Sequence, residues 1–144
     1  MKQITKIAIF GREVRSGYLG QFALLLDALS SGKVSFVWYA PFYEQLLGKG
    51  LKLPYGEVFT SSEDLPEDVN LFLSLGGDGT FLSSVTYVRD RGIPVAGINF
   101  GRLGFLTTAK VGSKPLLWID DLLEGRYSLE QRDLLRIDCG SVPE

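Results

Sequence analysis

Gly76-Gly77-Asp78-Gly79-Thr80 sets one carboxylate among glycines, and in this 144-residue sequence it is the segment best suited to chemistry. Glycines let a backbone turn sharply and approach an anion closely. Free N–H groups at a helix start, and the helix dipole, favour a phosphate there. A carboxylate in such a loop repels a phosphate unless it has another task. Three tasks suit it: binding a ribose hydroxyl, holding a metal ion, or taking a proton from an attacking hydroxyl. A tight Gly-Asp-Gly turn that only starts a helix is the plain structural alternative. A second glycine-rich segment runs Gly97-Ile98-Asn99-Phe100-Gly101-Arg102-Leu103-Gly104-Phe105-Leu106. Asn99 can hydrogen-bond a ribose or a backbone group. Arg102 carries a planar fork of donors that matches phosphate, and Phe105 offers a face on which a base can stack. Phe100 and Phe105 suit a core equally well, and Arg102 suits a solvated surface. A third, weaker candidate is Gly11-Arg12, with Arg15 nearby.

These segments gain meaning from the elements that carry them. Residues 4–10 read as an apolar strand that ends at Gly11-Arg12. Residues 17–29 read as an amphipathic helix, with Phe22, Leu25, Leu26 and Leu29 on one face of a 3.6-residue period. Residues 34–39 form a second strand of aromatic and β-branched type. Pro41 suits the first turn of a short helix ending near Gly48. Residues 51–70 are loop-rich with a possible strand at 57–60, and their acids (Glu57, Glu63, Asp64, Glu67, Asp68) read as a solvated loop. Residues 71–75 are a continuous run, LFLSL, as expected of a strand buried on both faces. Gly76 to Thr80 follows directly, then Phe81, Leu82, Val85 and Val88 at helical spacing, with Gly92 closing the helix. Residues 93–98 are another strand, leading into the second glycine segment. Residues 116–123 read as a helix with Asp120-Asp121 on its surface. Residues 134–139 alternate in the manner of a half-buried strand, with Cys139 as a small buried hydrophobe. Trp38 and Trp118 read as core.

Strands alternating with helices predict an α/β domain, a Rossmann-like open parallel sheet with helices on both faces. It spans residues 1–125. All three glycine segments then follow strands, so they fall at the carboxyl edge of the sheet, where open α/β sheets bind ligands. Residues 126–144 read as the entry strand of an all-β second domain that this sequence does not continue.

Composition bounds the function. Hydrophobic residues make up 45% and charged residues 22%, the balance of a globular chain. The net charge of −2 argues against a nucleic-acid or anionic-membrane binder. Charge by segment is uneven: +4 over residues 1–56 (seven bases, three acids) and +3 over 71–114 (five bases, two acids). There is no membrane-length apolar run and no export signal. With a single cysteine, the default compartment is a reducing cytoplasm. Histidine is absent, which excludes Ser-His-Asp, Cys-His and His-ligated zinc chemistry within the chain. Acid–base work falls to a carboxylate, Lys, Tyr or Cys139.

With both glycine loops in view, the sequence resembles the NAD kinase family. Leu75-Gly76-Gly77-Asp78-Gly79-Thr80-Phe81-Leu82 is similar to that family's GGDGTxL element. Residues 97–107, GINFGRLGFLT, are similar to its second glycine element. GGDG alone also occurs in lipid kinases and phosphofructokinases, but lipid kinases continue with an acidic residue where this chain has Ser83-Ser84. The second element is the more specific one.

The resemblance implies transfer of the γ-phosphoryl group of ATP, or of polyphosphate, to the 2′-hydroxyl of the adenosine ribose of NAD. It implies Asp78 as general base, with Gly77 and Gly79 beside the reacting groups. Arg102 would face phosphates, Phe105 would pack on the adenine, and Leu82 and Asn99 would shape the pocket. Magnesium would ride on the nucleotide phosphates. Gly11 and Arg12 join the nucleotide site through their place at the sheet edge.

The resemblance further implies a cytoplasmic homo-oligomer, dimer or tetramer, with no nucleic-acid or membrane partner. The family's second domain supplies an Asn-Glu pair and a Gly-Ser-Thr loop. Neither occurs here, so the isolated chain is expected to be weakly active or inactive. The alternatives are a lipid or sugar kinase of the GGDG group and a non-catalytic nucleotide-binding module in which Asp78 only holds ribose.

Overall fold

The computed structural model describes residues 3–13, 16–30, 33–99 and 109–110. The elements in chain order are β1 (Lys6–Gly11), a 3-10 turn (Ser16–Tyr18), α1 (Leu19–Ser30), β2 (Ser35–Tyr39), α2 (Ala40–Gly48), β3 (Gly56–Phe59), β4 (Leu71–Leu75), α3 (Asp78–Ser83), α4 (Val85–Val88), β5 (Val95–Asn99) and β6 (Ala109–Lys110). The expected helix at 116–123 and strand at 134–139, and the division at residue 125, lie outside the described residues, as do Trp118 and Cys139.

The sheet has the order β3-β2-β1-β4-β5-β6, and every adjacent pair is parallel. The chain moves outward from β1 through β2 to β3. It then returns to the other side of β1 and moves outward again through β4, β5 and β6. The direction reverses between β1 and β4, so a crevice opens there at the carboxyl ends of these two strands.

Right-handed crossovers send helices to opposite faces in the two halves of such a sheet. The packing agrees. Ile7, Ile9, Phe36, Trp38, Leu71, Leu73, Leu75 and Ile98 form one core with Phe22, Leu25, Leu26 and Leu29 of α1 and Phe42 and Leu46 of α2. Ala8, Phe10, Val37 and Phe72 form the other core with Phe59, Leu65, Val69 and Val88. The four apolar residues that predicted α1 are all buried. Trp38 is fully buried, and its indole N–H donates to the Pro54 carbonyl at 3.1 Å, so the one polar atom of that side chain is satisfied.

β1 begins later than apolarity alone predicts. Ile4 is buried, but the main-chain N–H groups of Thr5 and Lys6 donate to Asn70 Oδ1 at 3.1 and 3.0 Å, and the strand ladder starts only at Lys6. β6 carries no predicted counterpart, because two residues are too few to show a period.

The acids of residues 57–68 are exposed, as a solvated loop would have them, and three of them also make specific contacts. Lys6 Nζ meets Glu57 at 2.9 Å and Asp68 at 3.1 Å, linking β1, β3 and the approach to β4 at the amino end of the sheet. Asp64 accepts hydrogen bonds from the N–H groups of Ser61 and Thr60, both at 2.9 Å, and from the Thr60 hydroxyl, also at 2.9 Å. These contacts, Ser61 first and Thr60 next, hold the Asp64 carboxyl below the usual carboxylate range. A depressed folded pKa contributes stability above the unfolded value of about 3.9, and that stability fades as pH falls through the lower folded value. Because Asp64 is solvent-exposed, we expect less than about 1 kcal/mol. Urea midpoints at pH 6 and pH 2.5 test this. Asp64→Asn should lose less stability over that interval than wild type, and equal losses would contradict the assignment.

Candidate active site

The site forms where β1 and β4 end side by side. Gly11, the last residue of β1, is in register with Leu75, the last of β4. Gly11 has a packing reason to lack a side chain: a Cβ there would lie 2.7 Å from the Phe42 ring of α2. Arg12 therefore leaves the sheet directly beside the segment that begins at Gly76.

Gly76 turns the chain out of β4 with φ +148, a conformation that favours glycine. Its N–H donates to the Ile98 carbonyl at 2.8 Å, which ties the loop to the end of β5 as well. A Cβ at Gly76 would stand 2.8 Å from Thr80 Oγ1. Gly77 is extended (φ −93, ψ −164), and Asp78 opens α3. Gly77 and Gly79 differ from Gly76: a Cβ at either would meet nothing within 4 Å. The fold uses the first glycine of the segment and leaves open space at the next two.

The helix expected after Thr80 is interrupted. Ser84 N–H donates to the Phe81 carbonyl at 3.1 Å, an i to i−3 bond that tightens the turn between α3 and α4. Of the apolar residues that predicted this helix, Val88 is buried, while Leu82 is 53% exposed. A six-residue α3 has little dipole to offer, so the charge of this rim comes from side chains rather than from the helix end.

Two side chains that spacing did not single out, Ser83 and Gln45, hold Arg12. Its Nη2 donates to Ser83 Oγ. Ser83 Oγ donates to the Gly79 carbonyl at 3.0 Å. Gln45 of α2 sends Nε2 to the Arg12 carbonyl at 2.7 Å. The Ser83–Gly79 bond follows helical i, i+4 geometry and could be read locally. The Arg12–Ser83 bond joins residues 71 apart and leaves no sequence signal.

Tyr87 of α4 packs among Phe10, Tyr39, Phe59 and Phe72. Burial first, then a hydrogen bond with Tyr39, pushes its phenol up to about 12, with the Arg12 charge opposing. Tyr87 therefore keeps its proton at neutral pH. Asp78 is the carboxylate at the start of α3 on this part of the rim. β6 pairs Ala109 with Ile98 and Lys110 with Asn99. Asn99 is thus the last residue of β5, at the same carboxyl edge. Its side chain, Arg15, Arg102 and Phe105 lie outside what the structure describes.

Residues 55–127 match the family model described as the ATP-NAD kinase N-terminal domain. The chain belongs to this family. The NAD kinase of Flavobacterium psychrophilum is 36% identical over 140 residues, covering 96% of this chain and 47% of that protein. The NAD kinase of Porphyromonas gingivalis is 35% identical over 143 residues, covering 96% and 48%. The NAD kinase of Geotalea daltonii is 33% identical over 132 residues, covering 92% and 43%. This ATP-NAD kinase N-terminal domain thus spans about half the length of the curated relatives it matches. Among solved structures, yeast NADH kinase complexed with NADH superposes with a TM-score of 0.64 over 86% of this chain and 37% of that one, at 19% identity. At that identity the likeness concerns the fold, and it agrees with the parallel sheet described above.

Proposed function

We propose that this domain forms the phosphoryl-transfer half of an NAD kinase, which phosphorylates the 2′-hydroxyl of the adenosine ribose of NAD with ATP or polyphosphate as donor. One observation carries this reading. Strand order places Gly11-Arg12 and Gly76 to Gly79 on the two sides of the β1–β4 switch point, with a carboxylate at the start of α3 and open space over its flanking glycines.

Phosphoryl transfer asks a protein mainly for positioning and charge neutralisation. In the proposed reaction Asp78 accepts the proton of the ribose 2′-hydroxyl as its oxygen bonds to the γ-phosphorus, and the bond from that phosphorus to the ADP oxygen breaks. NADP and ADP leave. Gly77 and Gly79 let phosphate and ribose approach the main chain more closely than a side chain would allow. Arg12 faces phosphate from the β1 side. Leu82 presents an exposed apolar surface beside the loop, and Asn99, Arg102 and Phe105 complete the NAD pocket from the β5 side. An ordinary aspartate, with a pKa near 3.9, is a weak base for a sugar hydroxyl. Holding the hydroxyl in line for the γ-phosphorus lets even a weak base take its proton as the new bond forms.

A divalent ion fits this rim only as part of the nucleotide. Among the described residues no group of three or more His, Cys, Asp or Glu is placed to hold a metal. Magnesium needs only one or two carboxylates when substrate phosphates supply the remaining oxygens, and Asp78 is the group here that could contribute one. Bound on the phosphates, the ion would neutralise their charge.

No helix among the described residues is long and apolar enough to cross a membrane. A cytoplasmic setting and a homo-oligomeric assembly belong to the same proposal.

The test is NADP formation from NAD and Mg·ATP by the full reading frame that carries this chain, read by enzymatic cycling. We expect NADP from the full frame and weak or no activity from residues 1–144 alone. A full frame that phosphorylates a lipid or sugar and leaves NAD untouched would overturn the assignment.

A further inference from the structure

Arg12 is exposed, and an exposed arginine ordinarily samples many rotamers. Here two elements restrain it. Gln45 Nε2 pins the Arg12 carbonyl to α2 at 2.7 Å. Ser83 Oγ takes a hydrogen bond from Nη2 across the switch point. A guanidinium only donates, so the Ser83 hydroxyl must send its own proton elsewhere, and the Gly79 carbonyl at 3.0 Å receives it. The hydroxyl is thereby committed on both sides and oriented. The contact uses one nitrogen of the guanidinium, and among the described residues the rest of the donor fork takes no other side-chain partner. Among the described residues the ion pairs are those of Lys6 with Glu57 and Asp68, and no carboxylate neutralises Arg12. A guanidinium oriented in this way, beside a glycine loop with open space over it, is arranged to receive an anion.

We propose that Ser83 is a positioning residue for the phosphoryl donor: through its hydroxyl it holds Arg12 across the β1–β4 switch point, so that the guanidinium grips the donor's phosphates. This rests on the NAD kinase reading above. That reading gives the β5 side of the Gly76–Thr80 loop to NAD. Since β4 lies between β1 and β5, the β1 side, where Arg12 stands, falls to the donor. The competing role for the contact is a staple that only fastens α3 to the end of β1.

Calorimetric titration of the full reading frame with Mg·ATP, sodium tripolyphosphate and NAD, together with melting temperatures, separates these roles. Ser83→Ala should weaken Mg·ATP and tripolyphosphate about five- to tenfold and leave NAD affinity within about twofold, with the melting temperature held. Ser83→Thr keeps a hydroxyl that can bond the i−4 carbonyl and should restore donor affinity. Arg12→Gln should cost at least about tenfold in donor affinity. Ser83→Ala added to it should cost little more, because the two residues act through one guanidinium. Donor affinity unchanged in Ser83→Ala, strictly additive losses, or a loss shared equally by NAD would each overturn the positioning role while leaving the NAD kinase reading in place. Wild-type protein that binds neither donor nor NAD would overturn both.

Discussion

Asp78→Asn should abolish turnover by about a thousandfold while the protein still binds NAD. General-base catalysis contributes about 10² to 10⁴ in rate, and the amide keeps the size and hydrogen-bonding reach of the carboxylate without its ability to take a proton. The substitution should leave the fold in place. Asp78 is the first residue of a six-residue α3 with little dipole to offer, so the melting temperature should fall by no more than a few degrees. Removing a negative charge beside phosphate should, if anything, ease nucleotide binding. The informative pattern is therefore a lost kcat in the full reading frame, with NAD affinity within about tenfold and a folded protein. Near-normal rates would show that Asp78 holds ribose or starts the helix and does no proton transfer.

Gly79→Ala should make the protein more stable and less active at once. Gly79 lies inside α3, and a Cβ there meets nothing within 4 Å. Replacing glycine by alanine in a helix gains about 0.4 to 1 kcal/mol, chiefly by restricting the unfolded chain. The same methyl group would occupy the space through which phosphate must reach the main chain. Displacing a reacting group by about 1 Å can cost about a hundredfold in rate. Gly76→Ala provides the contrast: with φ +148 and Thr80 Oγ1 2.8 Å from the new Cβ, it should cost about 1 to 3 kcal/mol of stability. Urea denaturation and Mg·ATP titration of both variants separate a glycine the fold requires from one the ligand requires. Gly79→Ala that destabilises, or that binds Mg·ATP as wild type does, would contradict this division.

What could be read from sequence, and what could not, follows from the range of the interactions involved. The LFLSL run became β4 with the boundaries its apolarity implies, because a strand buried on both faces reads as a near-continuous apolar run, here including the buried Ser74. The stripe of Phe22, Leu25, Leu26 and Leu29 became the buried face of α1 for the same reason: one local period, one core face. Strand limits shifted where a side chain replaced the ladder, as Asn70 does at Thr5 and Lys6. The helix after Thr80 was visible as a period but not as two pieces, since the tightened turn at Ser84 depends on a single main-chain bond. Glu57, Asp64 and Asp68 are exposed as read, but the partners of two of them could not be seen in sequence, because they answer a lysine more than fifty positions away.

For the candidate site, the Gly76 to Thr80 loop and Gly11-Arg12 were legible because each follows a recognisable strand. The partners Gln45 and Ser83 were not. They meet Arg12 only because strand order brings the ends of β1 and β4 together, and that order is a property of the whole sheet.

The central claim is that nucleotide binds at the carboxyl rim between β1 and β4. Amide chemical-shift mapping on isotopically labelled protein, titrated with Mg·ATP and then with NAD, addresses it directly. The account predicts the largest shifts at Gly11, Arg12 and Gly76 to Leu82, extending to Asn99. Shifts gathered instead around Lys6, Asn70 and Ile93, at the amino end of the sheet, would contradict it.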